Sequence, residues 1–233
     1  MNRCVAIIPA RGGSKRIIGK NIKYFFGKPI ISYSIENAKK SQLFDKIIVS
    51  TDDMGIKRVA EQYGAEVPFI RPKELSDDLT NTKAVIDHTL EWLLKNGEQY
   101  DYCCTIYATA PLLRTQYLIE GYNKLKKSDA KNSFSATEMP YPIQRCFKIV
   151  QENRCEMFTP ENYNMRSQDF EKAYQDAGQF YWTNLHETVY NEMMFSEISI
   201  PIILPRFLVQ DIDTLEDWKM AEIMYEILQG KNV

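Results

Sequence analysis

Histidine is nearly absent from this chain of 233 residues: only His88 and His186 occur. A histidine-built zinc site, which needs several such ligands, is therefore excluded. The five cysteines (Cys4, Cys103, Cys104, Cys146, Cys155) form no C-x-x-C pair, which suits reduced thiols in the cytosol rather than a disulfide framework. Cys103 and Cys104 sit in an apolar run and are expected in the core. No G-x-S-x-G turn is present, so nothing supports a serine-nucleophile elbow. Basic excess is lacking too, with 29 Lys and Arg against 31 Asp and Glu and a net charge of −2; no global field points to nucleic acid. No apolar run reaches 18 residues, and the one after Met1 is too short for a signal peptide. The reading is a cytoplasmic protein with no membrane partner, in which any metal is held mainly by oxygen.

The length suits one domain spanning 1–233. The first 137 residues alternate strand and helix signals. Strands are predicted at Val5–Ala10, Lys46–Thr51, Val67–Ile70 (short, with an internal proline), Tyr102–Tyr107 and Ser133–Thr137. Helices are predicted from Pro29 onward, near Ile56–Tyr63 with a stop at Gly64, over Thr82–Lys95 and over Gln116–Lys127. Such alternation implies an α/β fold, a Rossmann-like mostly parallel sheet sandwiched by helices. From Glu138 prolines and aromatics replace the alternation, so 138–200 reads as an excursion that packs on another subunit. Regular structure returns at Ile198–Leu204, and a last helix runs to about Leu228.

Chemistry concentrates after the first strand. Between Arg11 and Lys20 lie four cations (Arg11, Lys15, Arg16, Lys20) and three glycines (Gly12, Gly13, Gly19). Glycine lets backbone N–H groups crowd an oxyanion and the cations neutralise it; the place is the ligand end of an open α/β sheet. A flexible basic surface loop is the plainer alternative. Asp211 and Asp213 flank Ile212, so extended backbone puts both carboxylates on one face, an arrangement suited to Mg²⁺ with substrate phosphates. Asp213-x-x-Glu216 also reads as a capping box, and both roles are compatible. Asp52 and Asp53 read as caps for the next helix, with metal ligation as the alternative. Arg71 opens a polar loop in which Thr80 and Thr82 could assist it in reading a base; Thr82 is equally a plain N-cap. Arg166, Gln168, Lys172, Tyr174, Gln175, Asp176 and Gln179 gather polar groups in an aromatic region, which suits a polyhydroxylated anion or a solvated loop.

Several motifs then agree on one family. Ile8–Lys15 with Lys20 and Asn21 gives I-P-A-R-G-G-S-K-x₄-K-N; Ile48–Asp52 gives I-V-S-T-D; Arg71–Asp78 gives R-P-x-E-L-x-x-D; Thr109–Arg114 approximates T-S-P-L-R; Asp211–Thr214 gives D-I-D-T. In this order, and over nearly the whole chain, they resemble the nonulosonate cytidylyltransferases, the CMP-sialic acid synthetase family. Tyr107 stands near the place of that family's sugar-contacting glutamine. Arg166-Ser-Gln-Asp169 and Asp176–Trp182 look like the pseudaminic acid branch. Arg16-Ile-Ile replaces the family's usual Gly-Ile-Pro.

The resemblance implies transfer of CMP from CTP to the anomeric hydroxyl of a nine-carbon acidic sugar by a homodimer, with release of pyrophosphate and Mg²⁺ as cofactor. It implies catalytic roles for Arg11, Lys20, Asp211 and Asp213, the last two as metal ligands. Ala10, Arg11, Gly12, Gly13, Ser14, Lys20, Asn21, Arg71, Thr80 and Thr82 would bind the nucleotide, and Tyr107, Arg166, Gln179 and Tyr181 the sugar. Pseudaminate is the expected sugar. N-acetylneuraminate, legionaminate or 3-deoxy-manno-octulosonate are competing substrates, and a non-catalytic nucleotide-sugar-binding domain is the competing class.

Overall fold

The computed structural model describes residues 2–186 and 193–230. Fifteen regular elements follow one another among them. They are β1 (Cys4–Pro9), β2 (Tyr24–Phe25), β3 (Lys28–Pro29), α1 (Ile31–Ser41), β4 (Lys46–Ser50), α2 (Met54–Gln62), α3 (Thr82–Lys95) and β5 (Tyr102–Ile106). After these come α4 (Thr115–Lys126), β6 (Asn132–Glu138), β7 (Phe147–Ile149), β8 (Cys155–Met157), β9 (Tyr174–Asn184), β10 (Ser199–Leu204) and α5 (Leu215–Leu228).

The main sheet has the order β10-β6-β9-β5-β1-β4. β1 pairs in parallel with β4 and β5, and β10 with β6; β9 runs antiparallel to both its neighbours. Val5 to Ile8 are fully buried, because β1 is covered on both faces, as parallel strands between helices must be. Ala6 and Ile8 join the larger core with Ile35 of α1, Ala60 of α2 and Leu118 of α4. Val5 and Ile7 face the other way, with Leu93 of α3. Cys103 and Cys104 are buried in β5, as expected.

A second core holds α5 against the β2–β3 hairpin. Phe25 is fully buried and meets Tyr33, Trp218 and Tyr225 edge-on at 5.4–5.6 Å. The hairpin turns on Phe26 and Gly27, both with positive φ (45° and 84°), the backbone that a two-residue hairpin loop requires.

Three expectations change. Val67–Ile70 forms no strand; only an isolated bridge joins Ile48 to Glu66, and Pro68 has no N–H with which to extend it. The excursion is shorter than 138–200: β9 lies inside the main sheet, and the arm between β6 and β9, with the β7–β8 hairpin, leaves it. Residues 187–192 of that predicted segment lie outside the described residues. The last helix caps one residue later than predicted. Thr214 Oγ1 accepts from the Asp217 N–H (3.2 Å) and the Asp217 carboxylate accepts from the Thr214 N–H (2.7 Å), so the Asp213 side chain has no part in the capping box.

Candidate active site

The loop after β1 is tied down at both ends. Ala10, buried, donates its N–H to the Ser50 carbonyl at 2.9 Å. The Gly12 N–H donates to the Asp52 carboxylate at 2.8 Å. A β-carbon on Gly12 would lie 2.9 Å from that of Asp53, so only glycine allows this approach. Asp53 itself caps α2 through the Ile56 N–H at 2.8 Å. The Asn21 amide, buried, donates to the Arg11 carbonyl at 2.9 Å. At the far end Lys20 Nζ donates to the Ile212 carbonyl at 2.6 Å and lies 3.4 Å from Asp213 Oδ1, while Arg16 sits 3.0 Å from the same carboxylate. The loop is thereby stitched to the segment leading into α5.

Opposite it stands the polar loop before α3. Arg11 donates to the Asp77 carbonyl (2.8 Å) and pairs with Asp78 (2.8 Å), which also pairs with Lys15. Thr80 Oγ1 donates to the Asp77 carboxylate at 2.7 Å; this and the backbone N–H of Thr80 hold the Asp77 pKa below the usual range. Lys15 above all, with Arg11, does the same for Asp78. Arg71 is only 3% exposed. Its N–H donates to the Thr51 carbonyl at 2.8 Å, its Nε to Ser76 Oγ at 3.1 Å, and its guanidinium lies 3.8 Å from Asp52. Burial lowers its pKa and the Asp52 charge opposes that shift. Asn81, rather than Thr82, caps α3 by accepting the Ala84 N–H.

Between the loops lies a cleft of about 330 Å³ whose walls include Arg11, Ser14, Lys20, Asn21, Arg71 and Asp213. Thr80, Thr82 and Tyr107 complete the set of predicted residues that line it. Ala10, Gly12 and Gly13 form the turn that carries Arg11 and Ser14 to the cleft. The N–H groups of Gly12 and Ser14 are engaged within the protein, with Asp52 and with the Gly12 carbonyl at 3.0 Å. The turn therefore presents side chains to the cleft more than the N–H groups that the glycine pattern predicts.

Tyr107 and Thr82 also line a second cavity, of about 400 Å³, between α3 and the sheet. Ile86, Leu90 and Phe195 supply apolar walls, and Asp176, Tyr181 and Thr183 polar ones. The Tyr107 and Tyr181 rings meet at 5.2 Å. Two predicted sugar contacts are placed elsewhere. Gln179 is buried and ties β9 to its surroundings: Nε2 donates to the Leu208 carbonyl at 2.5 Å and its backbone carbonyl accepts the Tyr107 N–H at 2.9 Å, while the side-chain Oε1 has no partner among the described residues. Arg166 lies on the exposed arm, in a two-pronged pair with Asp169 at 2.8 and 3.1 Å.

Asp211 and Asp213 flank the fully buried Ile212. Asp211 is an exposed residue whose carboxyl is only partly desolvated; that desolvation, and then the Asp213 charge, raise its pKa above the ordinary carboxylate value, and Lys20 only partly offsets this. Among the described residues no three His, Cys, Asp or Glu side chains cluster to hold a metal. Of the two aspartates, Asp213 lines the cleft and pairs with Arg16 and Lys20, while Asp211 is not among the residues lining it; two such hard oxygen donors fit a hard cation that completes its shell with phosphate and water oxygens. Sequence reasoning undervalued Asp52, which braces the turn and balances Arg71; its signal was the position at the end of β4, next to β1.

Known proteins resemble this chain along most of its length. A pseudaminic acid cytidylyltransferase of Campylobacter jejuni is 47% identical over 223 residues, covering 96% of each chain. A CMP-N,N'-diacetyllegionaminic acid synthase of Legionella pneumophila is 30% identical, covering 97% of this chain and 98% of its own. The solved structure of a CMP:2-keto-3-deoxy-manno-octonic acid synthetase complexed with CTP superposes with a TM-score of 0.67 over 98% of this chain and 99% of its own; at 16% identity it speaks for the fold alone. The cytidylyltransferase family model matches residues 5–217, and with a cleft built from the matching motifs the chain belongs to the cytidylyltransferase family of nucleotidyltransferases.

Proposed function

We propose that the protein transfers CMP from CTP to the anomeric hydroxyl of a nonulosonic acid, pseudaminic acid above the others, and releases pyrophosphate. The convergence of Arg11, Lys20, Arg71 and Asp213 on one cleft at the C-terminal ends of β1 and β5 carries this reading. The 47% identity to a relative named for that sugar supports the choice of substrate. Family membership favours catalysis over a binding-only domain.

The reaction is an in-line displacement at the α-phosphorus. Its barrier is lowered by placing the two substrates and by stabilising charge on the phosphate oxygens. Arg11 and Lys15 exchange Asp78 for the triphosphate, and Lys20 meets it from the opposite wall. Arg71, fixed by Ser76 and Asp52, presents a rigid guanidinium edge to the cytosine, with Thr80 and Thr82 beside it. The sugar occupies the second cavity, so that Tyr107 stands at the junction of the two substrates. Asp211 and Asp213 would hold Mg²⁺, which supplies charge neutralisation at the phosphate oxygens when bound.

The enzyme acts as a homodimer through the arm. Phe147, Ile149, Phe158 and Tyr163 on it are 58–73% exposed, an apolar surface that calls for a partner. Arg166 is then offered to the second subunit's sugar rather than its own. Among the described residues no helix is long and apolar enough to cross a membrane, and the unpaired cysteines fit work in the cytoplasm.

Pyrophosphate release from CTP and Mg²⁺, measured with a panel of nonulosonic acids, tests the proposal. Turnover with pseudaminate alone is expected. Turnover with legionaminate or sialate instead would refute the sugar assignment and keep the chemistry. CTP binding without release from any sugar would favour a non-catalytic domain.

A further inference from the structure

β9 breaks its own alternation where it passes the second cavity. Ala136 of β6 faces Asp176, but Phe134, two residues earlier, faces Tyr181, five residues later. The surplus residues form a bulge at Gly178, whose φ is +62°. In a regular strand residues an odd number apart point to opposite faces, which would separate 176 from 181. The bulge reverses the parity: Ala177, Phe180 and Trp182 all enter the main core, while Asp176 and Tyr181 both line the cavity. There the Tyr181 hydroxyl donates to Asp176 Oδ2 at 2.6 Å and the Gly178 N–H to Oδ1 at 2.9 Å. Bulges re-aim side chains in this way next to functional sites.

The placement has consequences for recognition. An ionised carboxylate offers about four acceptor positions. Two are occupied, and the Asp176 side chain stays open to the cavity. The same cavity is lined by the apolar Ile86, Leu90, Met194 and Phe195 and by the polar Lys83, Asp87, Lys131 and Asn132. A fixed carboxylate in a cavity that also has apolar walls suits a group that is half donor and half hydrocarbon: an amide N–H with its acyl methyl. The bulge also adjoins the acid pair, since a β-carbon on Gly178 would lie 3.8 Å from the Asp211 carboxylate carbon.

We propose that Asp176, oriented by Tyr181 and the Gly178 bulge, is a specificity-determining residue that accepts an acylamino N–H of the sugar. The inference rests on the acidic-sugar reading above. Its test is steady-state kinetics of the full-length enzyme with CTP and either pseudaminate or a nonulosonic acid carrying hydroxyls in place of the acylamino groups. Asp176→Ala is expected to raise KM for pseudaminate about 10- to 100-fold, the loss of one hydrogen bond to a charged acceptor. KM for CTP should stay within about twofold, and preference over the hydroxyl analogue should shrink. Tyr181→Phe keeps the carboxylate but frees it, and should raise the same KM less, by about three- to tenfold. Asp176→Glu should recover part of the loss if reach is the only defect. Unchanged sugar KM in a folded Asp176→Ala protein overturns the inference, as does a matched rise in both KM values. Wild-type inactivity with every nonulosonic acid would instead fell the function reading, and this inference with it.

Discussion

Asp52 offers the sharpest test of how the nucleotide cleft is built. Its carboxylate accepts the Gly12 N–H at 2.8 Å and faces the Arg71 guanidinium at 3.8 Å. Arg71 is 3% exposed and the Asp52 side chain 26%. At an effective dielectric of about 20 the gross attraction between the two charges is about 4 kcal/mol. Solvent at the carboxylate and the desolvation of Arg71 reduce the net to about 1–2 kcal/mol. The hydrogen bond from Gly12 to a charged acceptor contributes roughly 1.5 kcal/mol more. Asp52→Ala should therefore destabilise by about 3 kcal/mol, or roughly 6–12 °C in Tm for a chain of this size. Asp52→Asn keeps an acceptor for Gly12 and loses the charge, so about half that shift is expected. Because the Gly12 turn carries Arg11, the alanine variant should also raise KM for CTP about tenfold, and the asparagine variant less. Differential scanning fluorimetry and pyrophosphate-release kinetics supply both readouts. A Tm for Asp52→Ala within about 2 °C of wild type would refute the bracing role.

Other expectations follow from the same geometry. The folded-state pKa of Asp211 is raised, so its ionised form subtracts from stability above that pKa and subtracts nothing below about 3.9, where the unfolded chain is protonated too. Asp211→Asn should thus raise Tm at neutral pH in chelator, with the gain fading as pH falls, while activity drops on the order of 100-fold or more; a lower Tm at neutral pH would contradict the charge assignment. Asp78 competes with any triphosphate for Arg11 and Lys15, so Asp78→Asn should lower KM for CTP about two- to fivefold in low salt, the worth of exposed ion pairs; a raised KM would mean that Asp78 guides the substrate. Phe25→Ala empties the centre of the second core and should destabilise by about 3–5 kcal/mol, read from urea midpoints; a loss under about 1 kcal/mol would show that α5 is held by other contacts.

How much was legible depended on the range of each signal. Strand and helix order up to Thr137 follows from local periodicity, and β1, β4 and β5 read as apolar runs because both their faces are buried. β9 was harder to see. Tyr174–Asn184 alternates in the wrong phase across the Gly178 bulge, and its role as the strand between β6 and β5 exists only through pairing with distant segments. Val67–Ile70 misled for the opposite reason: it is locally strand-like and partly buried, but it has no second strand with which to build a ladder.

The chain alone determined the chemistry at hand: few histidines, no paired cysteines, a cation-rich glycine turn after the first strand, and two aspartates across one isoleucine. Those are properties of residue type and short spacing, and they survive whatever the fold does. The tertiary structure decided who faces whom. Lys20 reaches the Ile212 carbonyl across 192 positions of sequence, and Asp52 meets Gly12 across 40. Gln179 was withdrawn into a buried clamp, and Arg166 was set on an exposed arm. Such pairings depend on the angle at which each element leaves the sheet and on which buried polar groups must find partners, and neither is written in any window of neighbouring residues.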